Sequence, residues 1–294
     1  MTSDQWKSFI TNPVAADGAW GTELLKAGLE QGDCPELMNL ESPEIVQKVA
    51  ASYAEAGSRI ILTNSFGGTA LKLAQYGLEE KTEEINIAAA KLTSAAGEGD
   101  YLTAGDMGPC GKMVFMGEVS EEEVENAYAR QAAALKRGGA DLLLLETFTD
   151  LTEVSAALKG AVSTGLPVAV TLTYDKMADG SYRTVMGHSP EDVVPVLTEL
   201  GASAVGANCG AGIDQYVELA SLLCRISSLP VWIKANAGLP VLVDNKVCYP
   251  MEADEYAGHV QALLKEGVKI VGGCCGTNPA HIRGIVREIE AFLK

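Results

Sequence analysis

The feature that most constrains the fold is a regular alternation of short apolar runs with longer amphipathic segments along all 294 residues. Eight of the runs are almost continuously hydrophobic, which is typical of parallel strands that are buried on both faces. We predict these strands at 13–17, 59–63, 101–106, 141–146, 167–173, 203–208, 231–236 and 268–273.

The segments between the runs have the periodicity and the start signals of helices. Ser120 and Glu123, for example, form a capping box at one helix start. We predict helices at 42–56, 78–96, 120–137, 150–162, 190–200, 214–226, 252–265 and 279–293.

Eight strands that alternate with helices in a chain of this length favour a (β/α)₈ TIM barrel. A doubly wound sheet is the competing fold, but it usually carries a G-x-G-x-x-G turn after its first strand, and residues 17–22 do not match that pattern. No linker or low-complexity segment marks a boundary. We therefore predict an α/β protein with a single barrel domain over residues 1–294.

Charge and hydropathy restrict the partners and the compartment. The formal net charge of −17 argues against nucleic acid, because phosphate binding needs clustered Lys and Arg. No apolar stretch reaches the roughly 18 residues that cross a membrane, and the first residues lack the apolar core of a signal peptide. We expect a cytoplasmic protein. In that compartment seven cysteines favour metal binding or thiol chemistry over disulfides.

Polar and sulfur-bearing side chains collect at the predicted carboxyl ends of the strands. Those ends meet on one face of a barrel, which is the face where barrel enzymes carry their active sites. We therefore expect a single site built from these residues. They are Asp17, Thr63, Asn64, Asp106, Glu146, Thr173, Tyr174, Asn208, Cys209, Asn236, Cys274 and Cys275.

Three of these cysteines suggest a metal site. Cys274 and Cys275 are adjacent, so both can reach one metal only where the strand ends and the backbone bends, and glycines at 272, 273 and 276 allow that bend. With Cys209 they supply three thiolates and leave one position open, which is the pattern of a catalytic zinc site. Buried packing and a vicinal disulfide are the alternatives. We assign the cysteines at 34, 110, 224 and 248 to packing or loops.

Asp17 and Glu146 end apolar strands, where a carboxylate is costly to bury without a cationic partner. They would receive the ammonium group of an amino-acid substrate, or else make a structural contact with a helix N-terminus or an arginine. Backbone N–H groups of the turn at Gly18 and Ala19 would then hold the substrate carboxylate. None of the three histidines falls at a predicted strand end, which weakens hydrolase and protease hypotheses.

The same residues carry a resemblance to the homocysteine S-methyltransferase family, and most of all to the homocysteine-binding modules of its cobalamin-dependent, methionine-forming branch. The similarity covers essentially the whole chain in the family's order. The matching stretches are DGAWGTELL at 17–25, TNSFGGTALKL at 63–73, GDMGPCGKM at 105–113, ARQAAALKRGGADLLLLETFTDLTE at 129–153, GANCGAG at 206–212, NAGLP at 236–240 and GGCCGTNPAHIR at 272–283.

The resemblance implies roles for individual residues. Cys209, Cys274 and Cys275 would be the ligands of Zn²⁺, with no catalytic residue beyond the metal centre. Asp17 and Glu146 would bind the amino group of homocysteine. Two further positions match the family's acceptor pocket and a position near the metal, and these are Thr63 and Asn236.

The expected function is zinc-dependent methylation of homocysteine to methionine. NAGLP resembles the corrinoid-using branch, and the sequence ends soon after the barrel at Lys294, so we expect the methyl donor to be a separate corrinoid protein or a small molecule. Three alternatives stay open. They are a demethylase-type enzyme that moves methyl between a metabolite and a corrinoid protein, a zinc lyase or hydrolase, and a non-catalytic protein that binds zinc or a thiol amino acid.

Overall fold

The computed structural model describes residues 1–97, 99–243 and 246–294. Its long apolar runs form parallel strands, and two short antiparallel hairpins accompany them. The strands are β1 (Val14–Ala15), β2 (Ile60–Leu62), β3 (Leu102–Met107), β4 (Leu142–Phe148), β5 (Val168–Leu172), β6 (Asp175–Lys176), β7 (Tyr182–Arg183), β8 (Ala204–Gly212), β9 (Val231–Asn236), β10 (Val241–Val243), β11 (Lys246–Cys248) and β12 (Ile270–Gly273).

Eight parallel strands of the described residues form one sheet in the order β1-β12-β9-β8-β5-β4-β3-β2. Its two edges meet, because Ala16 bridges to Ile60 and the N–H groups of Asp17 and Arg59 donate across the seam at 3.0 and 2.8 Å. The sheet is therefore closed, and the predicted (β/α)₈ barrel is confirmed. The hairpins β6–β7 and β10–β11 lie outside the barrel sheet and were not predicted.

Helices follow the barrel strands as the alternation predicts. The helices are α1 (Ser3–Phe9), α2 (Gly21–Lys26), α3 (Met38–Glu41), α4 (Pro43–Glu55), α5 (Ala70–Leu73), α6 (Thr82–Ser94), α7 (Glu121–Gly138), α8 (Leu151–Val162), α9 (Pro190–Glu199), α10 (Tyr216–Ile226), α11 (Ala253–Gly258), α12 (Val260–Lys265) and α13 (Pro279–Phe292). Short 3₁₀ turns lie at Pro35–Leu37, Ala74–Tyr76, Glu79–Lys81, Val114–Met116 and Ile213–Gln215.

One predicted helix is wrong in its continuity. The segment 252–265 forms α11 and α12, which are separated at His259. Gly258 ends α11, and glycine is among the poorest residues in a helix interior. No helix of the described chain is both long enough and apolar enough to span a membrane.

The interior of the barrel is apolar near its amino-terminal end. The side chains that fill it include Ile60, Leu62, Ala104, Leu142, Leu144, Ala169, Ala204, Trp232 and Ile270. Trp6 of α1 belongs to the same cluster, and its indole N–H donates to the Ser203 carbonyl at 3.1 Å. Helix α1 therefore closes this end of the barrel.

The next inward positions along several strands are polar. Side chains alternate between the two faces of a strand, so the residue two places after an interior apolar side chain also points inward. The residues at these positions are Asp106, Glu146, Thr171, Asn208 and Lys234, and all are buried. A polar layer thus covers the apolar core at the carboxyl ends of the strands.

Trp6→Ala is expected to lower the free energy of unfolding by about 3–5 kcal/mol, because it removes a large buried side chain. Trp6 is only 2% exposed. Urea denaturation measures the loss, and Phe292→Ala at the exposed end of α13 is the control. An unchanged unfolding midpoint in Trp6→Ala would show that α1 does not close the core.

Candidate metal and substrate site

A cavity of about 290 Å³ opens at the carboxyl ends of the barrel strands. This is at the lower limit of small-molecule pockets, so it suits a ligand of amino-acid size. Its lining includes Gly18, Trp20, Glu36, Thr63, Phe66, Asp106, Glu146, Thr147, Cys209, Lys234, Cys274 and Cys275. Five of the residues predicted to form the site do not line this cavity, and they are Asp17, Thr173, Tyr174, Asn208 and Asn236.

Three cysteines come together at one end of the cavity. The Sγ atoms of Cys209, Cys274 and Cys275, here named the thiol cluster, all lie within 4.8 Å of one another. Sulfur ligands at 2.3 Å from a tetrahedral zinc are separated by about 3.8 Å, so a small contraction would bring the three thiols to a shared ion. No other group of three or more ligand side chains was found in the described residues. All seven cysteines are free, so the vicinal disulfide alternative does not describe this structure.

A tight turn after β12 places Cys274 and Cys275 side by side. The N–H of Cys274 donates to the Ala235 carbonyl at 2.7 Å, and the Thr277 hydroxyl donates to the Cys274 carbonyl at 2.8 Å. A Cβ at position 273 would lie 2.2 Å from the Thr277 hydroxyl, and Gly276 has φ +83°. Glycine is required at both positions, as expected from the sequence.

Cys209 reaches the cluster through an irregularity in β8. The strand does not end at Asn208 as predicted but continues to Gly212, with a register shift between Asn208 and Gly212. Cys209 lies inside this irregularity with φ +63°, which is a left-handed conformation rare for a residue with a Cβ. The Tyr216 hydroxyl donates to the Cys209 carbonyl at 2.6 Å and holds the bend.

The three thiols of the thiol cluster influence one another's pKa values. Hydrogen bonds from Cys274 and Cys275 lower the pKa of Cys209. The same contact with Cys209 raises the pKa of Cys274 and of Cys275. Contact among the three thiols therefore favours ionisation of Cys209 over ionisation of Cys274 and Cys275. A cation that binds three thiolates would displace the remaining protons, which is the usual coupling of metal binding to thiol ionisation.

A buried ion pair lies at the base of the cavity. Lys234 Nζ is 2.6 Å from the Glu146 carboxylate, and the two side chains are 2% and 9% exposed. Burial alone would lower the pKa of Lys234, but attraction to Glu146, Asp17 and Asp106 outweighs it and raises the pKa. Lys234 is therefore a cationic partner of Glu146 within the protein, and it takes the place of the arginine or helix N-terminus that the sequence left open as the alternative to a substrate ammonium group.

Asp17, Asp106 and Glu146, here named the carboxylate cluster, share this single lysine. Leu62 N–H and the Trp20 indole donate to Asp17 Oδ2 at 2.8 and 2.9 Å. The other oxygen of Asp17 and one oxygen of Asp106 are buried without a hydrogen-bond partner. Burial raises the pKa of Asp17 to about 6, and burial followed by repulsion from Glu146 raises the pKa of Asp106. The cluster therefore has unused capacity to accept hydrogen bonds from a cationic ligand.

The remaining predicted site residues have local partners. Thr63 Oγ1 accepts the Asp106 N–H at 3.0 Å and also contacts Ser65. The Ala19 N–H donates to Thr277 Oγ1 at 3.1 Å, which leaves Gly18 as the candidate carboxylate donor of that turn. Asn236 donates to the Gly210 carbonyl at 3.3 Å, and its side chain also contacts Cys209, where it lowers the thiol pKa.

Sequence reasoning missed the role of Lys234 and the contact between Thr147 and Asn208. A lone lysine inside the apolar run VWIKAN was the available signal for Lys234, because such a residue needs a buried anion. Thr147 gave no signal. It has φ +68°, yet it is not glycine and it follows directly after the predicted strand end.

The sequence profile of the family described as Homocysteine S-methyltransferase matches residues 14–289. The chain belongs to the homocysteine S-methyltransferase family. It is 30% identical to the methionine synthase of Mycobacterium leprae over 306 aligned positions, which cover 98% of this chain, and 30% identical to that of Mycobacterium tuberculosis over 295 positions, which cover 94%. The alignments cover only 25% and 24% of those two proteins, so the chain spans about a quarter of their length.

The fold agrees with that of a solved member of the family. The homocysteine methyltransferase MmuM from Escherichia coli, in its metallated form, superposes with a TM-score of 0.77 and 22% identity, covering 97% of this chain and 99% of that one. The resemblance to the homocysteine S-methyltransferase family is thus confirmed, and with it the prediction of a methyltransferase-type barrel at the level of the family.

Lys234→Met is expected to reduce the free energy of unfolding by about 3–5 kcal/mol, because it leaves the buried Glu146 carboxylate without its cation. The double variant Glu146→Gln with Lys234→Met removes both charges and is expected to recover part of that loss. Urea denaturation at neutral pH measures the wild type and both variants, with Lys265→Met at an exposed position that ends α12 as the control. Equal losses in the single and double variants would contradict a stabilising ion pair.

Proposed function

We propose that the chain binds zinc at the thiol cluster and methylates homocysteine to methionine. One observation carries the proposal. The thiol cluster and two members of the carboxylate cluster, Asp106 and Glu146, line the same cavity of about 290 Å³, so a single small ligand can meet both groups. Homocysteine has a thiol at one end and an ammonium group at the other, and its chemistry matches the two ends of this cavity.

The donor set of the thiol cluster fits zinc. The cluster offers three cysteines and no fourth thiolate. This composition is typical of a catalytic zinc site, since structural zinc sites are usually closed by four protein ligands. Cys209, Cys274 and Cys275 would hold the ion. Zinc bound there would supply one open position at which a substrate thiol loses its proton at neutral pH.

The opposite end of the cavity orients the amino acid. Three carboxylates face one lysine, so the cluster has a deficit of positive charge that a substrate ammonium group would meet. We assign this contact to Glu146, which lines the cavity, and to Asp17, which has a buried oxygen without a hydrogen-bond partner and directly precedes the cavity-lining Gly18. Thr63 contributes to the wall of the acceptor pocket, and the Gly18 N–H is the donor for the substrate carboxylate. Asn236 remains beside the thiol cluster.

The reaction needs no general base from the protein once the acceptor is a thiolate. The acceptor sulfur displaces the donor from its methyl group in line, so that the S–CH₃ bond forms as the bond between methyl and donor breaks. The donor leaves with the bonding electrons.

We assign the role of donor to a separate corrinoid protein or to a small molecule. Exposed apolar side chains on three excursions at the mouth support a protein donor, because such patches commonly mark partner surfaces. They are Met113, Phe115 and Met116 after β3, Val185 and Met186 after β7, and Leu239, Leu242 and Val247 after β9.

Reduced protein is expected to bind one zinc per chain and to release protons when homocysteine is added. Cys274→Ala should lose the zinc, whereas Cys224→Ala on α10 should keep it. Metal analysis and calorimetry in two buffers of different ionisation enthalpy measure these quantities. Methylcobalamin added with homocysteine should then yield methionine. The proposal would be contradicted if reduced wild-type protein contained no zinc, or if adding homocysteine to the zinc-bound protein released no protons.

The binding of L-norleucine, which has the ammonium group but no sulfur, is expected to weaken as the pH falls below about 6. Asp17 must be ionised to attract the ammonium group, and its pKa is raised to about 6, so it becomes neutral below that pH. Asp17→Asn should bind norleucine more weakly at pH 7.5 and should lose the pH dependence between pH 5 and pH 7. A wild-type affinity that does not change over this range would exclude Asp17 from the contact.

A further inference from the structure

Two residues of the described chain other than glycine have a positive φ, and both lie at the cavity. They are Thr147 with φ +68° and Cys209 with φ +63°. Each lies at a register shift, one in β4 and one in β8. Strained backbone of this kind costs free energy and persists only where the surroundings hold it in place. A fully buried side chain between them, Asn208, supplies that restraint.

The Asn208 amide uses all of its hydrogen-bonding capacity. Its oxygen accepts the Thr147 N–H and the Thr171 hydroxyl, both at 2.8 Å. Its nitrogen donates to Thr147 Oγ1 at 2.7 Å and approaches Cys274 Sγ at 3.9 Å. Two hydroxyl or N–H donors on the oxygen fix the orientation of the amide, so the N–H groups must face Thr147 and the thiol.

These contacts join the two ends of the cavity. Thr147 directly follows Glu146 of the carboxylate cluster, and Cys274 belongs to the thiol cluster. Asn208 also directly precedes Cys209 in the chain. This one residue therefore contacts Thr147 and Cys274 and is the sequence neighbour of Cys209. An outer residue that donates to a metal ligand fixes the ligand's orientation, and its loss commonly costs 10–100-fold in metal affinity.

We propose that Asn208, clamped by Thr147, is a positioning residue that couples the thiol cluster to Glu146. Among the described residues the Thr147 hydroxyl makes no hydrogen bond to a cysteine, yet it accepts one of the two Asn208 N–H groups. Loss of that hydroxyl leaves this N–H group buried without its acceptor and removes one of the two hydrogen bonds that join Asn208 to Thr147, which weakens the hold of the amide on Cys274 and on the left-handed backbone after Glu146. A change at Thr147 is therefore expected to affect both the thiol cluster and Glu146 of the carboxylate cluster. The expected effect on zinc affinity requires only that the thiol cluster binds zinc. The expected effect on amino-acid binding rests on the proposed function.

The test compares zinc affinity, measured by competition with a chromophoric chelator, in variants that differ by one hydroxyl. Thr147→Val keeps the branched shape and removes the hydroxyl, and it is expected to weaken zinc binding about 10-fold. Thr147→Ser keeps the hydroxyl and should retain the wild-type affinity. Thr82→Val removes a buried hydroxyl from α6, far along the chain from the thiol cluster, and is the matched control.

A second variant and a second readout separate coupling from simple loss of structure. Asn208→Asp keeps the two acceptor contacts and replaces the N–H donors, so it should weaken zinc binding at least as much as Thr147→Val does. Calorimetry with L-norleucine on zinc-loaded protein should show weaker binding in Thr147→Val and not in Thr147→Ser. Thermal melts of each variant without metal report whether the fold is retained.

The outcomes are distinct. Wild-type zinc affinity in both Thr147→Val and Asn208→Asp would overturn the coupling while leaving the proposed function intact. Equal losses in Thr147→Val and Thr82→Val would also overturn it, because any buried hydroxyl would then have the same effect. Weakened zinc binding with unchanged norleucine binding would confine Asn208 to the metal end and overturn the coupling. A wild type that binds no zinc would overturn the coupling and the proposed function together.

Discussion

The ion pair between Lys234 and Glu146 is the interaction on which the candidate site depends. It lies inside the barrel, where an unpaired carboxylate would carry a large desolvation cost. One lysine does not neutralise the three members of the carboxylate cluster. The remaining charge is met by the Leu62 N–H and the Trp20 indole at Asp17, and by the raised pKa of Asp17 and Asp106. The cavity is thus preformed with more acceptors than cations, which is a suitable environment for an ammonium group.

The sequence was sufficient to predict the barrel and the face on which the site lies. Continuous apolar runs identify buried parallel strands, and the carboxyl ends of such strands must meet on one face whatever their exact register. The same reasoning explains the cysteine pair. Only a bend after the last strand lets adjacent cysteines share one ion, and glycines at 273 and 276 supplied that bend, as the turn to Thr277 shows.

The partner of Glu146 could not be predicted from the sequence. Alternation places Trp232, Lys234 and Asn236 on the inner face of β9, but β9 and β4 are not neighbours in the sheet. Which side chains meet across the interior depends on the stagger of all the strands between them, and no local pattern encodes this stagger. The left-handed conformations of Thr147 and Cys209 could not be predicted from the sequence either. A residue with a Cβ adopts this conformation because its surroundings hold it there, and its own preference gives no sign of it.

The two ends of the cavity are joined by side chains and not by loops. Lys234 reaches from β9 to Glu146 on β4, and β9 lies between β8, which carries Cys209, and β12, which is followed by Cys274 and Cys275. Asn208 reaches from β8 to Thr147 at the next position of β4. Both contacts run between strands of the closed sheet, so the sheet fixes the position of the carboxylate cluster relative to the strands that lead to the thiol cluster. Under the proposed function, the groups that meet the substrate thiol and the substrate ammonium group are therefore held in place before the substrate binds.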